Sequence, residues 1–316
     1  MAILGIDLGA TKISYALFDH KGKIIIRGTS MVEKLSGQIT GAILISIIRE
    51  MNRDAIELNE KVEAIGICVP GIAFKDSGTV WAPNIAGWEK FPLLKNIRDS
   101  LENDSIPVVI ESDRACHILG EHWRGAAQII RNGIYLAVGT GIGAGIMVEG
   151  EILRGSGDIS GAIGWMALNT PYDKKYDQCG CLEYYASGGG IERLFKKKMQ
   201  VGNYSGILKD LGDKITAYHV FMAYDKKDPL ALEIINDAIM YWGMATANLV
   251  SIFNPEVIIF GGGVFGPAVS LIDKIKDEAR KWAQPISINK VKFIPSEIGK
   301  DAGLLGAGLI ALKAIQ

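Results

Sequence analysis

The residue types best suited to chemistry in this sequence lie in three glycine-rich turns and at one Ser-Asp pair. The first turn, Asp7–Lys12, separates two predicted strands. Gly9 lets the backbone reverse tightly, Thr11 supplies a hydroxyl, and backbone amides in such a turn form a concavity that suits phosphate oxygens. Lys12 adds a cation, and Asp7 could bind Mg²⁺ directly or through water. An ordinary hairpin turn is the alternative.

The second turn is denser in glycine. Four of the seven residues in Gly139–Gly145 are glycine, directly after a predicted strand. Glycine weakens a fold through its backbone entropy, so this density is explained if a ligand must approach the backbone closely. Together with Asp7–Lys12, this turn predicts a clamp for a polyphosphate and hence the binding of a nucleotide.

The third turn, Gly261–Gly266, formally matches the dinucleotide-binding pattern G-x-G-x-x-G after a strand. That function would require an acidic residue at a strand end about 20 positions later. The corresponding stretch, Asp277–Gln284, is predicted to be helical, and a Walker A sequence is absent as well. Gly262 and Gly263 therefore fit the floor of an adenosine site better than a nicotinamide site. A bare strand end is the alternative.

Ser112-Asp113 follows the predicted strand Pro107–Glu111. A carboxylate at a strand end beside a phosphate site could accept the proton of an attacking hydroxyl. Aspartate is also a good helix N-cap, and this structural role is the alternative.

The elements that must position these residues alternate short β-branched runs with longer amphipathic stretches, which is typical of an α/β fold. The predicted strands are Ile3–Asp7, Ile13–Phe18, Ile24–Gly28, Val62–Cys68, Pro107–Glu111, Gly133–Val138 and Glu256–Phe260. The predicted helices are Ser36–Asn52, Leu93–Leu101, Leu230–Phe253 and Asp301–Ile315. The region Gly155–Gly190 is predicted to be a loop.

Two strand–turn–strand units with glycine signatures predict a duplicated core, in the form of two α/β lobes with a cleft between them. The 316 residues are also too many for one ordinary core. The first lobe is predicted over residues 1–116 and is completed by the C-terminal helix over residues 301–316. The larger second lobe is predicted over residues 117–300.

Composition excludes several classes of partner. The formal net charge is −1 and the basic residues are spread along the chain, so no nucleic-acid partner is expected. No apolar run approaches the roughly 18 residues of a membrane span, and the N-terminus does not match a secretory signal. Four cysteines are too few for a disulfide scaffold in a chain of this length. We therefore expect a cytoplasmic protein with no membrane partner.

The order of these and further motifs resembles the ROK family, a group of bacterial sugar kinases and related repressors. Its members have the two-lobed actin-like ATPase (ribonuclease H-like) fold. The resemblance covers nearly the whole chain and depends on the shared order of the motifs. The motifs are Asp7–Lys12, Gly66–Gly71, Ala82–Asn84 with Gly87-Trp88, Glu111–Asp113, Gly139–Ile146, Cys181–Glu183 with Ala186-Ser187, Asn254–Glu256, Gly261–Val264 and Asp301–Ala307.

The resemblance implies a role for each matching residue, and it also implies a homodimer. Asp113 would be the general base that takes the proton of the sugar hydroxyl as it attacks the γ-phosphate of MgATP. The nucleotide residues would be Asp7 near Mg²⁺, then Gly9, Thr11 and Lys12 on one side of the phosphates, Gly139, Thr140 and Gly141 on the other, and Gly261, Gly262 and Gly263 at the adenosine. The residues that would face the sugar are Gly71, Asn84, Ser112, Asp113 and Glu183.

Three departures from the family pattern concern the sugar and zinc sites. Ser112 stands where the family has asparagine before the catalytic aspartate. In the stretch Gly161–Trp165, Ala162 and Trp165 replace a glutamate that binds sugar and a histidine that touches sugar and ligates zinc. Only Cys179–Cys181 remains of a cluster of three cysteines, so no intact zinc site is expected. The motifs expected at ATP match the family pattern better than the motifs expected at the sugar.

The sequence thus predicts an enzyme that transfers the γ-phosphate of MgATP to a hydroxyl of a sugar or a sugar-like polyol. The runner-up is a carbohydrate-sensing regulator of the same family. Such regulators usually carry an N-terminal DNA-binding module, whereas the first predicted strand here starts at residue 3, and Lys12 and Asp113 are retained. A nicotinamide oxidoreductase would depend on Gly261–Gly266 alone.

Overall fold

Two five-stranded sheets organise the chain, and each belongs to a separate unit. A computed structural model describes residues 1–9, 11–32, 37–101, 105–202 and 204–316. The first unit comprises Met1–Ile129, Arg154–Ser160 and Lys300–Gln316. The second unit comprises Ile130–Leu153 and Gly161–Gly299.

The described strands and helices are numbered in chain order. The strands are β1 Ala2–Leu8, β2 Lys12–Asp19, β3 Ile24–Met31, β4 Val62–Val69, β5 Ile72–Phe74, β6 Thr79–Trp81, β7 Val108–Ser112, β8 Gly133–Val138, β9 Ile142–Val148, β10 Glu151–Ile152, β11 Val257–Gly261 and β12 Lys292–Pro295. The helices are α1 Gly37–Glu57, α2 Leu93–Arg98, α3 Asp113–Arg124, α4 Cys181–Ala186, α5 Gly188–Val201, α6 Ala217–Asp225, α7 Pro229–Phe253, α8 Ile272–Arg280, α9 Pro285–Lys290 and α10 Ala302–Lys313.

The first sheet has the strand order β3-β2-β1-β4-β7. Strand β1 is antiparallel to β2 and parallel to β4, and β4 is parallel to β7. Both faces of β1 are covered, since Leu4 and Ile6 share a core with Leu44 of α1, whereas Ile3 packs with Leu304 of α10. Strands covered on both faces are apolar almost throughout rather than alternating, which explains why these runs are conspicuous in the sequence.

Helix α10 completes the first unit, because it packs against α3, β1 and β4. The close approach to α3 requires positions without a side chain. A Cβ on Gly306 would lie 2.0 Å from the carbonyl oxygen of Cys116, and one on Gly120 would lie 2.3 Å from that of Ala302. The last helix is therefore held tightly over the end of β1 that carries the first glycine turn.

The second sheet repeats the pattern of the first, with the order β10-β9-β8-β11-β12. Its first three strands pair in an antiparallel manner, and β8, β11 and β12 are parallel. The main core of this unit includes the long helix α7. The α/β class and the duplicated core predicted from the sequence are confirmed.

Helix α7 shows how polar residues define the ends of an element. The Asp228 carboxylate accepts hydrogen bonds from the backbone N–H groups of Leu230 and Ala231, each at 3.1 Å, and so caps the first turn. The helix ends at Phe253, and its C-cap Asn254 has a left-handed backbone with φ 45°, directly before Pro255. The predicted helix Leu230–Phe253 matches α7 to within one residue.

The first unit extends further along the chain than the sequence predicts, and one predicted loop contains helices. The boundary predicted at residue 116 falls inside α3, and the first unit continues to Ile129 because α3 packs on α10. The predicted loop Gly155–Gly190 is wrong in part, since α4 and the start of α5 lie within it. The predicted helix Ser36–Asn52 corresponds to α1, and its first residue lies outside the described residues. No helix in the described part of the chain is long and apolar enough to cross a membrane.

Candidate active site

The first predicted phosphate turn lies at the end of β1 in the first unit. The Gly9 N–H donates to the carbonyl oxygen of Lys12 at 2.9 Å, which closes the turn. The Val32 N–H donates to the carbonyl oxygen of Thr11 at 2.8 Å, and the remainder of Thr11 is exposed. Ala10 lies outside the described residues. Gly9, Thr11 and Lys12 therefore lie at one hairpin between β1 and β2, and their role in binding phosphate stays a prediction.

Asp7 lies near the end of β1, directly before this turn. Burial raises its pKa above the ordinary value, and a hydrogen bond with the Cys68 thiol lowers it in part. The charges of His117 and Lys12 lower the pKa of Asp7 further, whereas the charge of Asp113 raises it. The sheet register explains why these groups are close: Cys68 of β4 pairs with Asp7 of β1 and with Glu111 of β7, so Asp7 and Asp113 lie at the same edge of the first sheet.

The first turn of α10 packs against the Asp7 carboxylate. A Cβ built on Gly303 would lie 2.8 Å from Cγ and from both carboxylate oxygens of Asp7. Real Cβ atoms essentially never approach other atoms so closely, so glycine at position 303 leaves the space that the carboxylate occupies. The partial positive charge at a helix N-terminus also favours a carboxylate there. This contact joins residues almost 300 positions apart and has no signature in the local sequence.

Ser112 and Asp113 have different structural positions at the end of β7. The Ser112 hydroxyl accepts a hydrogen bond from the Ala115 N–H at 3.4 Å, so Ser112 is the N-cap of α3. Asp113 is the first residue of that helix, and its Oδ1 accepts from the Arg114 N–H at 2.8 Å. The structural alternative for Asp113 was the N-cap, and the structure gives that position to Ser112 instead.

Gly71 and Asn84, both expected at the sugar, lie in turns of the first unit. Gly71 has φ 124°, and a Cβ there would lie 2.2 Å from the carbonyl oxygen of Trp81, so only glycine fits. Asn84 is exposed in a turn that the Ala82 N–H closes by donating to the carbonyl oxygen of Trp88 at 2.7 Å. The buried Trp88 ring anchors this turn.

The second unit carries the denser glycine turn between β8 and β9. The Gly139 N–H donates to the carbonyl oxygen of Gly141 at 2.9 Å, and the Gly188 N–H of α5 donates to that of Gly139 at 2.8 Å. Thr140 is exposed at the tip. Among the residues that the structure describes, no atom outside its own neighbours lies within 4 Å of a Cβ built on Gly139, so the space over this backbone is open with respect to them.

The glycines after β11 lie beside this turn. Gly262 has φ 86°, and a Cβ there would lie 2.4 Å from the carbonyl oxygen of Val138, the last residue of β8. In the described part of the chain, a Cβ built on Gly263 would likewise meet no atom within 4 Å. The acidic residue that a dinucleotide site requires is not at a strand end here, since Asp277 lies within α8.

Glu183 connects the same turn to α4. Its Oε2 accepts a hydrogen bond from the Ile142 N–H at 2.7 Å, and a Cβ on Gly141 would lie 2.8 Å from that oxygen. Burial raises the pKa of the Glu183 carboxyl above its ordinary value, and the Ile142 N–H and the charge of Arg193 lower it in part. Glu183, which is predicted to contact the sugar, therefore lies at the turn that is predicted to contact phosphate.

The segment that departs from the family pattern packs against the start of α4. A Cβ on Gly180 would lie 2.5 Å from the Cα of Trp165, and one on Gly164 would lie 3.0 Å from Oε2 of Glu183. Ile163 is buried, whereas Trp165 is 59 % exposed. Trp165 is thus largely exposed and directly follows Gly164, the residue that approaches the Glu183 carboxylate.

A cluster of tyrosines holds α4 in place, and the sequence reasoning missed it. The Tyr185 ring stacks on that of Tyr241 with centroids 4.3 Å apart, and its hydroxyl lies 3.0 Å from that of Tyr176. The Lys175 ammonium lies 5.5 Å from the centroid of the Tyr185 ring. The signal in the sequence was the density of tyrosine between residues 172 and 185, which the loop prediction did not use.

Cys179 and Cys181 flank Gly180 at the start of α4, and both are free thiols. Within the described ranges, no group of three or more histidine, cysteine, aspartate or glutamate side chains is arranged to hold a metal ion. The expectation that the chain has no intact zinc site stays a prediction.

The two sheets of matching topology, each with a glycine turn after its first strand, define an α/β protein of the actin-like class. The model of the ROK family matches residues 3–314, and the chain belongs to this family.

Its relatives include both enzymes and regulators. The chain is 32% identical to a glucokinase of Halalkalibacterium halodurans, over 96% of this chain and 93% of the relative. It is 29% identical to a xylose repressor of Bacillus spizizenii, over 98% of this chain and 77% of the repressor. The crystal structure of a ROK glucokinase from Streptomyces griseus with glucose and AMPPNP is 26% identical, with a TM-score of 0.78. That comparison covers 99% of this chain and 100% of the other.

Proposed function

We propose that this protein is an ATP-dependent kinase that phosphorylates a hydroxyl of a sugar or a sugar-like polyol. The observation that carries the proposal is that the parallel strands β1, β4 and β7 end at one edge of the first sheet, where Asp7 at the end of β1 precedes the turn to Lys12 and Asp113 directly follows β7. A carboxylate beside a phosphate-type turn is the arrangement that phosphoryl transfer to a hydroxyl needs. Similarity to a glucokinase, and to a glucokinase structure that contains glucose and AMPPNP, supports the same class of reaction.

Asp113 is the proposed general base. Its carboxylate accepts the proton of the acceptor hydroxyl as the oxygen attacks the γ-phosphate. Because Ser112 caps α3, the Asp113 carboxylate is not needed for that role. Its hydrogen bond from the Arg114 N–H uses Oδ1, which leaves Oδ2 for the proton.

The residues present fit MgATP. Asp7 offers the carboxylate oxygens that Mg²⁺ prefers, and it would hold the ion directly or through water. Bound Mg²⁺ would supply neutralisation of the charge on the phosphates. In the first unit, Gly9, Thr11 and Lys12 would contact phosphate oxygens through backbone amides, a hydroxyl and an ammonium.

In the second unit, the glycine turn Gly139–Gly141 would contact phosphate oxygens, and Gly261–Gly263 would lie at the adenosine. The open space above Gly139 and Gly263 supports both assignments, because a ligand can approach the bare backbone there. The exposed hydroxyl of Thr140 adds a donor at the tip of the turn.

The proposed acceptor site differs from that of a glucose enzyme on one side. Gly71, Asn84, Ser112 and Asp113 of the first unit, and Glu183 of the second, would contact the acceptor. Ala162 has no hydrogen-bonding side chain, and Trp165 offers an exposed apolar face with one donor. The acceptor should therefore be a polyol or cyclitol, a deoxy or shorter sugar, or a glycoside whose aglycone packs on Trp165.

The experiment is a screen for ATP consumption across hexoses, amino sugars, pentoses, inositols and glycosides, followed by the variant Asp113→Asn on the best acceptor. Asparagine keeps the size of aspartate but cannot take a proton, so turnover should fall by about 10² or more while the affinity for MgATP is retained. Asp99→Asn is the control, because Asp99 is an exposed residue of the same unit in an i,i+4 pair with Lys95. Equal turnover of the Asp113→Asn variant and the parent would exclude the assignment of the base.

The alternative is a carbohydrate-sensing regulator without robust kinase activity, and the similarity to a xylose repressor favours it. Such a protein would bind a carbohydrate but consume no ATP with any acceptor of the panel. Calorimetric titration of the same panel would then detect binding without turnover.

A further inference from the structure

One short stretch of the chain, the Arg154–Ser160 segment, leaves the second unit and belongs to the first. The Ser160 N–H donates to the carbonyl oxygen of Arg154 at 3.0 Å, so the segment forms a closed loop. It carries no residue of the proposed chemistry. Its contacts nevertheless reach the residues that precede and follow Asp113 in the sequence.

The first contact is an ion pair between Arg154 and Glu111. The Arg154 guanidinium donates to Glu111 Oε2 through Nε at 2.8 Å and through Nη2 at 2.7 Å. Only 6% of the Glu111 side chain is exposed, so its negative charge is withdrawn from water and requires a cation. The other oxygen, Oε1, accepts a hydrogen bond from the Ser112 N–H at 3.0 Å. A continuous chain of charge-assisted bonds thus runs from Arg154 to the residue before Asp113.

The second contact is made by Arg114, the residue after Asp113. Its Nη1 donates to the carbonyl oxygen of Ile159 at 3.3 Å, and its Nη2 points to that of Gly71 at 3.5 Å. Burial lowers the pKa of the Arg114 guanidinium below its ordinary value, and the charges of Asp113 and Glu111 raise it in part. Arg114 thus connects the start of α3 to the Arg154–Ser160 segment and to the turn at Gly71.

A third contact fixes the tip of the loop. Asp158 has a left-handed backbone with φ 55°, which is uncommon for a residue with a side chain. Its Oδ2 accepts a hydrogen bond from the Lys75 N–H at 3.1 Å. This bond ties the tip of the segment to Lys75.

We propose that the Arg154–Ser160 segment is a clamp that positions Asp113, with Arg154 and Arg114 as positioning residues that act through Ser112 and through the start of α3. The inference rests on the proposed function of Asp113 as a base. A base must lie within hydrogen-bond reach of the hydroxyl, and a displacement of about 1 Å can reduce turnover by about 10²-fold. A purely structural ion pair, in contrast, would affect the stability of the fold and leave turnover unchanged.

The test uses the full chain with the substitution Arg154→Met, which keeps an apolar stem and removes the charge. The double variant Glu111→Gln with Arg154→Met also removes the carboxylate that would otherwise be left buried without a cation. Arg280→Met is the control, since Arg280 forms an exposed ion pair with Asp277 in the second unit. Two quantities are measured: turnover with the best acceptor, and hydrogen–deuterium exchange of peptides covering residues 111–115 and 154–160 without substrate.

We expect Arg154→Met to lower kcat by about 10- to 100-fold and to accelerate exchange in both peptides, with the KM for MgATP nearly unchanged. The double variant should recover stability but not kcat, because the chain of bonds to Ser112 is still broken. The control should match the parent in both measurements.

The clamp is refuted if Arg154→Met lowers the melting temperature while kcat stays at the parental value, since the pair is then only structural. It is also refuted if exchange at residues 111–115 does not change. If the parent phosphorylates no acceptor, the proposed function fails, and exchange alone decides whether the segment orders Asp113: faster exchange in both peptides supports the clamp, and unchanged exchange overturns it.

Discussion

The substitution Gly303→Ala tests the assignment of Asp7 with a single methyl group. The added Cβ would lie 2.8 Å from three atoms of the Asp7 carboxyl, whereas ordinary van der Waals contact begins at 3.4 Å. The carboxylate, or the start of α10, must therefore move away by about half an ångström. A displacement of about 1 Å in a reacting geometry lowers the reaction rate by about 10²-fold, so half of that displacement should have a smaller effect. We expect kcat/KM for MgATP to fall about tenfold, equivalent to about 1.4 kcal/mol.

The same change should cost little stability, because alanine is better than glycine within a helix by about 1 kcal/mol. The assay is steady-state kinetics with varied MgATP at saturating acceptor, beside thermal unfolding of each variant. Gly308→Ala is a matched control on the same helix, since its Cβ would lie 2.9 Å from the rings of Phe18 and Trp123 and not near Asp7. If both variants have the same kcat/KM for MgATP at equal folded fraction, Asp7 does not serve the nucleotide as proposed.

Two further predictions concern the acceptor. Because burial raises the pKa of Glu183, its carboxylate takes up a proton at a higher pH than a free glutamate, so the acceptor KM should rise as the pH becomes mildly acidic. The same rise in a Glu183→Gln variant, whose side chain cannot ionise, would assign the effect to another group. In competition kinetics, glucose should have a kcat/KM about one to two decades below that of the best acceptor, because a hydroxyl buried beside Ala162 and Trp165 without partners costs about 1–3 kcal/mol. Glucose as the best acceptor of the panel would show that the inference from these two residues is wrong.

The sequence was most informative where the physical cause is local. The apolar runs of β1 and β4 and the density of glycine at Gly139–Gly145 are visible without a structure, because burial on both faces and close approach to a backbone restrict residue types position by position. The pairing of two similar strand–turn–strand units also predicted the repeated sheet topology.

The predicted loop Gly155–Gly190 was wrong in part for an equally physical reason. Helix α4 has only six residues and begins after Gly180, whose φ of 79° makes the sequence there resemble a turn. Packing of Tyr185 against Tyr241 stabilises this short helix, and that contact joins residues 56 positions apart. Local propensity does not contain it.

The sequence by itself determined the α/β class, the glycine turns and the candidate base, since each follows from residue types within a few positions of one another. Only the tertiary structure decided that Ser112 rather than Asp113 caps α3, and that Glu183 bonds to the backbone of Ile142 across 41 positions. It likewise decided that Arg154 neutralises the buried Glu111, 43 positions away. Such contacts depend on how the sheets and helices pack, and packing brings together side chains whose separation along the chain carries no periodic signal.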